Sequence, residues 1–166
     1  MTDCRENAAP KRTRSADRVR AYLAEHDLAD EIVTFEQSTK TAQMAADAMG
    51  CELGQIVKSL VFIAGGTPVL ALVAGDRRGD TQAIAQLAGA AEARFADAET
   101  VRAATGYAIG GVSPFDLPRG LMLLADDSLD RYEIVYPAAG TPSSMVRIRL
   151  AHLLELTGAR VARISQ

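Results

Sequence analysis

The stretch QIVKSLVFIAGGTPVLALVA, residues 55–74, decides how this chain folds. Its two halves are rich in β-branched and aliphatic residues, and the turn sequence Gly65-Gly66-Thr67-Pro68 separates them. This pattern predicts a β-hairpin with strands over 55–64 and 69–74. Because a connection of this length permits only antiparallel pairing, we expect the two strands to be antiparallel neighbours.

Helix and strand patterns alternate on both sides of this hairpin. Apolar spacing, capping residues and glycines predict helices over 15–26, 41–49, 80–87, 97–105 and 151–156. Further strands are predicted over 31–36, 93–96, 107–109, 121–125, 132–137, 145–150 and 160–164. Together these elements predict a single α/β (α+β) domain over 15–166, in which helices pack against a mixed, largely antiparallel sheet. Residues 1–14 lack apolar periodicity and are expected to form a flexible N-terminal tail.

The composition is that of a folded, slightly acidic chain. Hydrophobic residues make up 48% of the 166 residues, and the formal net charge is −3. The hydrophobic fraction excludes a wholly disordered chain. The negative net charge excludes a positive field over the whole surface that would attract nucleic acid. A nucleic-acid ligand would need a local basic face, and the most basic stretch contains Lys11, Arg12, Arg14, Arg18 and Arg20. A solvated tail and helix face is the more ordinary role for these charges.

No segment is typical of secretion or of a membrane span. Residues 1–14 lack the apolar core of a signal peptide, and the longest apolar runs, 59–64 and 69–74, have the length of strands. Cys4 and Cys51 are too few for a disulfide framework. We therefore expect a soluble, cytoplasmic protein with no membrane partner.

Histidine is scarce, which weakens several catalytic interpretations. His26 and His152 are the only histidines, and neither has a cysteine or a second histidine at ligand spacing. We therefore expect no metal and no cofactor. A Ser-His-Asp triad is also disfavoured, since His152 is its only candidate base and a structural role suits that residue better.

Lys58 is the most unusual residue of the predicted hairpin. Alternation places it between Ile56 and Leu60 on a strand face that is otherwise apolar. The ordinary interpretation is that this ammonium group reaches solvent. The functional interpretation is that a partly buried, fixed positive charge orients a carbonyl, a phosphate or a water molecule.

A second candidate site is the loop Gly110-Gly111-Val112-Ser113-Pro114. Its spacing matches neither a GxGxxG fingerprint nor a P-loop, so phosphate binding of those kinds is not indicated. Paired glycines can adopt backbone angles that expose successive amides, and such amides can stabilise the oxyanion that develops when an ester is attacked. An ordinary turn is an equally good interpretation of the residues alone.

Four segments occur in a specific order: QIVKSLVF (55–62), ATGYAIGGVSPF (104–115), LADDSL (124–129) and the glycine turn around Gly140. In this order and spacing they resemble the YbaK-type aminoacyl-tRNA deacylase family, which is related to the editing domain of bacterial prolyl-tRNA synthetase. The resemblance covers about residues 19–164. It implies a metal-free deacylase that cleaves the ester between a wrong amino acid and its tRNA, with an ordered water in place of a protein nucleophile.

The resemblance also implies roles for individual residues. Lys58 and the backbone amides of Gly110 and Gly111 are the implied catalytic groups. The implied substrate-binding residues are Phe35, Thr39, Thr41, Ser59, Ser113, Pro114, Asp126 and Gly140. The chain departs from the family pattern near Arg147, where an aspartate is expected, and after Pro114, where a glycine often follows. These departures bear on which amino acid is removed.

The first functional hypothesis is trans-editing of a tRNA mischarged with a small amino acid such as alanine, cysteine, serine or threonine. Editing is needed because one methylene or hydroxyl gives a synthetase limited discrimination by binding. The expected partner is the acceptor end of aminoacyl-tRNA, and an aminoacyl-tRNA synthetase is a second candidate partner. The alternative hypothesis is a non-catalytic module that binds the tRNA end or the aminoacyl group for a synthetase. A third class, an esterase for a free small-molecule ester, would show activity without tRNA.

Overall fold

The computed structural model describes residues 15–36 and 39–166. The predicted tail, residues 1–14, lies outside the described residues, as do residues 37–38. The helices are α1 Ser15–Glu25, α2 Ala42–Met49, α3 Thr81–Leu87, α4 Ala98–Thr105 and α5 Leu150–Thr157. The strands are β1 Ile32–Thr34, β2 Ile56–Ala64, β3 Thr67–Ala74, β4 Ala93–Phe95, β5 Met122–Asp126, β6 Ile134–Pro137, β7 Ser144–Val146, β8 Ile148–Arg149 and β9 Arg160–Ala162.

The predicted hairpin is present and lies inside the sheet. β2 and β3 pair antiparallel from Val57 opposite Ala74 to Ala64 opposite Thr67. Their connection is Gly65-Gly66, whose φ angles of +56° and +82° give a tight turn that follows the twist of the two strands. Side chains would strain both positions, so the two glycines set the register of the hairpin.

The sheet is mixed, as the sequence predicts. Its strand order is β8-β6-β2-β3-β5-β9, with β4 paired to β2 beside this path, and β1 and β7 form a separate antiparallel pair. The pairs β2–β3, β2–β4 and β6–β8 are antiparallel, whereas β2–β6, β3–β5 and β5–β9 are parallel. Parallel neighbours need long crossover connections, and the segments that contain the helices supply them.

Helices cover both faces of the sheet. On one face, Val57 and Leu72 belong to a buried cluster with residues of α1, α4 and α5. On the other face, Phe62 clusters with Ile84 of α3, and a smaller cluster joins α2 to Ile56. Each fully buried side chain of this size stabilises the fold by about 1.5–3 kcal/mol. None of the helices within residues 15–36 and 39–166 has the length and apolarity needed to cross a membrane.

One edge of β2 is open along part of its length. β6 pairs with Ile56 and Val57, and β4 pairs with residues 62–64. Within the described part of the chain, no strand pairs with residues 58–61 on this edge. The backbone of this short section can therefore bond to a ligand instead of to a neighbouring strand.

The helix starts agree with the sequence prediction. Thr41, Asp80 and Asp97 are N-caps whose side chains accept hydrogen bonds from backbone amides of the first turn. Gly50 and Gly106 follow α2 and α4 in the left-handed conformation and end them. These local contacts fix where α2 and α4 begin and end, and both helices flank the open edge of β2.

The strand predicted over 107–109 is wrong. Gly106 ends α4, and the Gly111 N–H donates to the carbonyl oxygen of Ala108 at 3.0 Å. These residues therefore form a turn that is closed by a local hydrogen bond, whereas a strand would bond to a neighbouring strand. The other predicted strands are present, with ends shifted by no more than one or two residues, except for the segment over 145–150.

The strand predicted over 145–150 is divided in two. The Arg147 N–H donates to the carbonyl oxygen of Glu31 at 3.0 Å, and Arg147 separates β7 from β8. β7 pairs with β1, whereas β8 pairs with β6 at the edge of the main sheet. Arg149 is exposed on this edge strand, where a charge discourages pairing with another chain.

Candidate active site

The open edge of β2 forms one wall of a cavity with a volume of about 330 Å³. The start of α2, the end of β4, the loop at 109–112 and the segment 141–145 supply the other walls. Most of the lining is apolar, and Lys58, Ser59 and Gly110 bring polar groups to it. A concave, mostly apolar site with a few polar groups is typical of small-ligand binding, so this cavity is the candidate active site.

Lys58 lies in the wall of the cavity and is partly buried. Its ammonium group donates a hydrogen bond to the main-chain carbonyl of Arg77. Burial lowers the pKa of Lys58 below its ordinary value, while the carboxylate of Asp76 opposes this shift and the guanidinium of Arg78 adds to it. An ammonium has three N–H donors, so donors remain for a ligand beyond the bond to Arg77.

An ion pair fixes the loop that holds the Lys58 ammonium. The guanidinium of Arg131 donates to both carboxylate oxygens of Asp76, at 2.8 and 2.7 Å. The hydrogen bond from Arg131 is the main reason that the pKa of Asp76 lies below its ordinary value. The carboxylate therefore stays ionised at neutral pH, and the pair holds the Arg77 carbonyl in place next to Lys58.

Ser59 lines the cavity and has a buried, unpaired hydroxyl. Its Oγ is inaccessible to solvent and has no hydrogen-bond partner among the described residues. A buried polar group without a partner costs about 1–3 kcal/mol. Such a cost is commonly offset at a functional site, where a ligand or a water supplies the missing bond.

The backbone of Ser59 also faces the open edge of β2. On the β3 side, the carbonyl oxygen of Ile56 accepts from the Gly75 N–H at 2.8 Å. On the opposite side, the carbonyl oxygen of Val61 accepts from the Ala96 N–H at 3.0 Å. These directions alternate along a strand in an antiparallel pair, so the N–H and C=O of Ser59 point the same way as those of Val61. Ser59 therefore directs a donor and an acceptor of its main chain toward the cavity.

Thr39 and Thr41 line the cavity from the segment before α2. The N–H and the hydroxyl of Thr39 both donate to the carbonyl oxygen of Pro142, at 2.8 and 2.7 Å. The hydroxyl oxygen of Thr41 accepts from the Met44 N–H at 3.1 Å and caps α2. Both hydroxyls hold this segment in position, so the two threonines determine the shape of this wall.

The two loop glycines differ in their environment. Gly110 lines the cavity with a φ of +91°, and within the described residues no protein acceptor is found for its N–H. The Gly111 N–H is already bonded to Ala108, and a Cβ on Gly111 would lie 3.0 Å from the Cα of Thr141. The Gly110 amide is therefore the one of the two that can donate to a ligand, and Gly111 packs the loop against the segment behind it.

The structure places three further expected site residues near the cavity but not in its lining. Ser113 and Pro114 are buried behind the glycine loop, where the Ser113 hydroxyl accepts from the Phe115 N–H at 3.4 Å. Phe35 packs into the small cluster that joins α2 to β2. These residues support the walls of the cavity from behind.

Asp126 and Gly140 are not among the lining residues and have structural contacts. Asp126 is buried and accepts hydrogen bonds from the Ile164 N–H and the Ser165 hydroxyl at 2.9 and 2.7 Å. Burial alone would raise the pKa of Asp126, but its hydrogen bonds outweigh burial and hold that pKa below the ordinary value. Gly140 lies under the start of α1, where a Cβ would approach the carbonyl oxygen of Ser15 to 2.7 Å.

Sequence reasoning missed most of the residues that line the cavity, and three of them have large, exposed side chains. Phe95, at the end of β4, and Ile109, just before Gly110, are each 59% exposed. Lys40 is also exposed in the lining. A lone phenylalanine in a short strand usually indicates core packing, so the sequence carried little signal for Phe95.

The described lining contains no histidine, cysteine, aspartate or glutamate. Within residues 15–36 and 39–166, no three such side chains are grouped closely enough to hold a metal ion. The chemistry that this cavity offers rests on the ammonium groups of Lys58 and Lys40, on hydroxyls and on backbone amides. These groups can orient an ester and a water and can stabilise negative charge.

Comparison with known proteins identifies the family. Residues 36–156 match the aminoacyl-tRNA editing domain. The chain belongs to this family. The matched part of this editing domain includes β2 with Lys58, the glycine loop and all walls of the cavity. The resemblance to YbaK-type deacylases is therefore confirmed.

Individual relatives are similar over nearly their whole length. A solved structure of a proposed trans-editing enzyme for prolyl-tRNA synthetase has a TM-score of 0.82 and 41% identity, covering 92% of this editing domain and 97% of that chain. YwhH of Bacillus subtilis (strain 168), which is uncharacterised, is 33% identical over 144 residues, 86% of this chain and 91% of YwhH. EbsC of Enterococcus faecalis (strain ATCC 700802 / V583), a proposed Cys-tRNA(Pro)/Cys-tRNA(Cys) deacylase, is 24% identical over 160 residues, 95% of this chain and 98% of EbsC.

Proposed function

We propose that this editing domain acts in trans and hydrolyses the ester of a tRNA mischarged with a small amino acid. One observation carries the proposal: a single cavity at the open edge of β2 is lined by Lys58, Ser59 and Gly110. Membership of the editing family supports the class of substrate. The cavity supports the reaction type, because its polar groups suit an ester that is held and attacked by water.

In this proposal the scissile carbonyl lies beside Gly110. The Gly110 N–H donates to the carbonyl oxygen and stabilises the negative charge that develops as water attacks the carbonyl carbon. The Lys58 ammonium, held by Arg77, orients the terminal ribose, its phosphate or the aminoacyl group. The bond between the carbonyl carbon and the ribose oxygen then breaks, and that oxygen takes a proton, which gives a free amino acid and uncharged tRNA.

Acceleration comes from position and electrostatics in this account. The described lining has no histidine, aspartate or glutamate to act as a general base, so in this account the water is held by backbone groups and by the hydroxyl of Ser59. A hydroxyl of the terminal ribose is a further group that can accept or relay the proton. Holding reactants in a near-attack geometry is worth several kcal/mol of the barrier even without a protein nucleophile.

The cavity is large enough for a small amino acid. A volume of about 330 Å³ accommodates the ester, part of the ribose and a short side chain. Ala42 and Ala45 of α2 line the wall near Thr41 and leave this space open. Alanine, cysteine, serine and threonine are the candidates, and the proposed activity of EbsC supports the inclusion of cysteine.

A non-catalytic module for the tRNA end is the second candidate function. It is favoured by the same absence of a histidine or carboxylate from the described lining. In that case Lys58 and Gly110 would hold the aminoacyl end without hydrolysis, and a synthetase would use the bound tRNA.

The variant Lys58→Ala separates the two candidates when turnover and tRNA affinity are both measured. For an enzyme, we expect single-turnover deacylation to fall by about a hundredfold or more while tRNA affinity falls much less. Arg149→Ala is the control, since it removes an exposed cation on β8 outside the cavity lining. Binding of mischarged tRNA by the wild type without any release of amino acid would favour the module.

A further inference from the structure

We propose that the exposed ring of Phe95, together with Ile109, is the stacking site for the terminal adenine of the bound tRNA. This inference rests on the proposed function, because it names the nucleobase subsite of the same cavity. It assigns a role to the two apolar side chains that the deacylation chemistry leaves unused.

The exposure of these two side chains is unusual within the described residues. Phe95 and Ile109 are each 59% exposed, and the next most exposed large hydrophobic side chain, Met44, is 43% exposed. Both line the same cavity, so the exposed apolar surface lies where a ligand would enter. Leaving apolar surface in water costs about 25 cal/mol per Å² relative to burial. Apolar surface exposed beside polar groups is typical of a binding site.

Phe95 is held as a rigid platform. It lies directly opposite Phe62 in the pairing of β4 with β2, and the two ring centroids are 4.5 Å apart. Phe62 is fully buried, so one side of the Phe95 ring is fixed by the core. The Ala96 N–H donates to the carbonyl oxygen of Val61 and ties down the next residue. A ring that is ordered before binding loses little conformational entropy when a ligand stacks on it.

The chemistry of the substrate selects an adenine as the occupant. The amino acid is esterified to the ribose of the terminal nucleoside, so the base of that nucleoside lies one sugar ring away from the scissile carbonyl. In the proposed binding mode the carbonyl lies beside Gly110, and the base lies against Ile109, the preceding residue, and Phe95, which line the same cavity. Unpaired bases of single-stranded nucleic acid are commonly bound by stacking on exposed aromatic side chains.

A stacking site also suits the charge of the chain. The formal net charge is −3, so a large electrostatic contribution to tRNA affinity is not expected. Stacking supplies affinity without positive charge and without reading a sequence, and every tRNA ends in the same base. Lys40 is exposed in the same lining, and in this proposal it binds the phosphate of that terminal nucleotide.

The test compares two acceptor-stem microhelices that are identical except that one lacks the terminal base. We expect the wild type to bind the complete microhelix about tenfold more tightly. Phe95→Ala should abolish this ratio, whereas Phe95→Trp should preserve it. Val161→Ala is the matched control and should leave the ratio unchanged, since Val161 is a 42% exposed strand residue outside the cavity lining.

Two results would overturn the inference: equal binding of both microhelices by the wild type, or an unchanged ratio in Phe95→Ala. The second result would leave a protein partner as the occupant of this surface. A different result would contradict the proposed function: a wild-type protein that releases no amino acid from mischarged tRNA, whatever the ratio of the two microhelix affinities. In an active enzyme, Phe95→Ala should raise KM more than it lowers kcat, because the base contact is the same in the ground state and the transition state.

Discussion

Arg18 on α1 donates hydrogen bonds to both the carboxylate and the main-chain carbonyl of Asp116, at 3.1 and 2.8 Å, across 98 residues of sequence. The same guanidinium donates to the carbonyl oxygen of Gly106 at 3.4 Å and lies over the ring of Tyr107 at 4.8 Å. It therefore connects the two ends of the loop that carries Gly110. The first helix of the fold is thus a clamp on the loop proposed to bind the scissile carbonyl.

Loss of this clamp should affect both stability and rate. We expect Arg18→Ala to lower the free energy of unfolding by about 1–2 kcal/mol through the lost hydrogen bonds and ring contact. Deacylation at saturating substrate should fall as well, because the Gly110 amide is less well positioned. Thermal melting and single-turnover rates measure the two effects, with Arg20→Ala, an exposed change on the same helix, as the control. Wild-type melting and rate in Arg18→Ala would exclude the clamp.

The burial of Lys58 predicts a pH dependence of stability. Its pKa in the folded protein lies below the ordinary value of 10.5, so the folded state loses this proton at a lower pH than the unfolded state. The cost of burying the charge is therefore fully present below the folded pKa and is relieved as the pH rises toward 10.5. Stability of the wild type relative to Lys58→Met should increase over this range in urea titrations. A difference that is constant with pH would contradict the assigned burial.

The unpaired hydroxyl of Ser59 predicts a change in activity without a loss of stability. Ser59→Ala removes a buried group that has no partner, so the free energy of unfolding should stay constant or rise by about 1 kcal/mol. We expect kcat/KM for deacylation to fall about tenfold, since the ligand loses a hydrogen bond. Ser165→Ala is the matched comparison: it removes a donor to Asp126 and should destabilise by about 1–2 kcal/mol. Equal destabilisation by both variants would show that Ser59 has a structural partner.

The close contact at Gly140 predicts that alanine destabilises the fold more at this position than at Gly120. Gly140 and Gly120 have similar φ angles, +93° and +87°, so alanine brings similar backbone strain at both. A Cβ at Gly140 would also lie 2.7 Å from the carbonyl oxygen of Ser15, whereas a Cβ at Gly120 meets nothing within 4 Å. Gly140→Ala should therefore destabilise by about 1–3 kcal/mol more than Gly120→Ala. Equal urea midpoints for the two variants would argue against the packing of α1 on this turn.

Sequence reasoning succeeds where the determining contacts are local. The hairpin follows from two β-branched runs around Gly65-Gly66, and the N-caps Thr41, Asp80 and Asp97 bond to amides within their own first turn. Lys58 is predicted as a candidate site residue because it interrupts an otherwise apolar strand face. These features depend on neighbours within a few residues, so the sequence alone is enough to predict them.

Sequence reasoning fails where a residue's role is set by distant partners. The open edge of β2 exists because β4 and β6 pair with its two ends, and neither register can be read from local patterns. The turn at 107–109 has a strand-like composition, but Gly106 and the bond from Gly111 to Ala108 close it. Similarly, the resemblance to the family implies a substrate-binding role for Asp126. Its hydrogen-bond partners, Ile164 and Ser165, are distant in sequence and are identified only by the structure.

The most direct test of the central claim is single-turnover deacylation of Ala-, Cys-, Ser-, Thr- and Pro-tRNA by the purified wild-type protein. We expect rapid release of at least one of the four amino acids other than proline, well above the rate in buffer. Release of none of these four, from tRNA that the protein demonstrably binds, would contradict the proposal that this cavity hydrolyses the ester of a small amino acid.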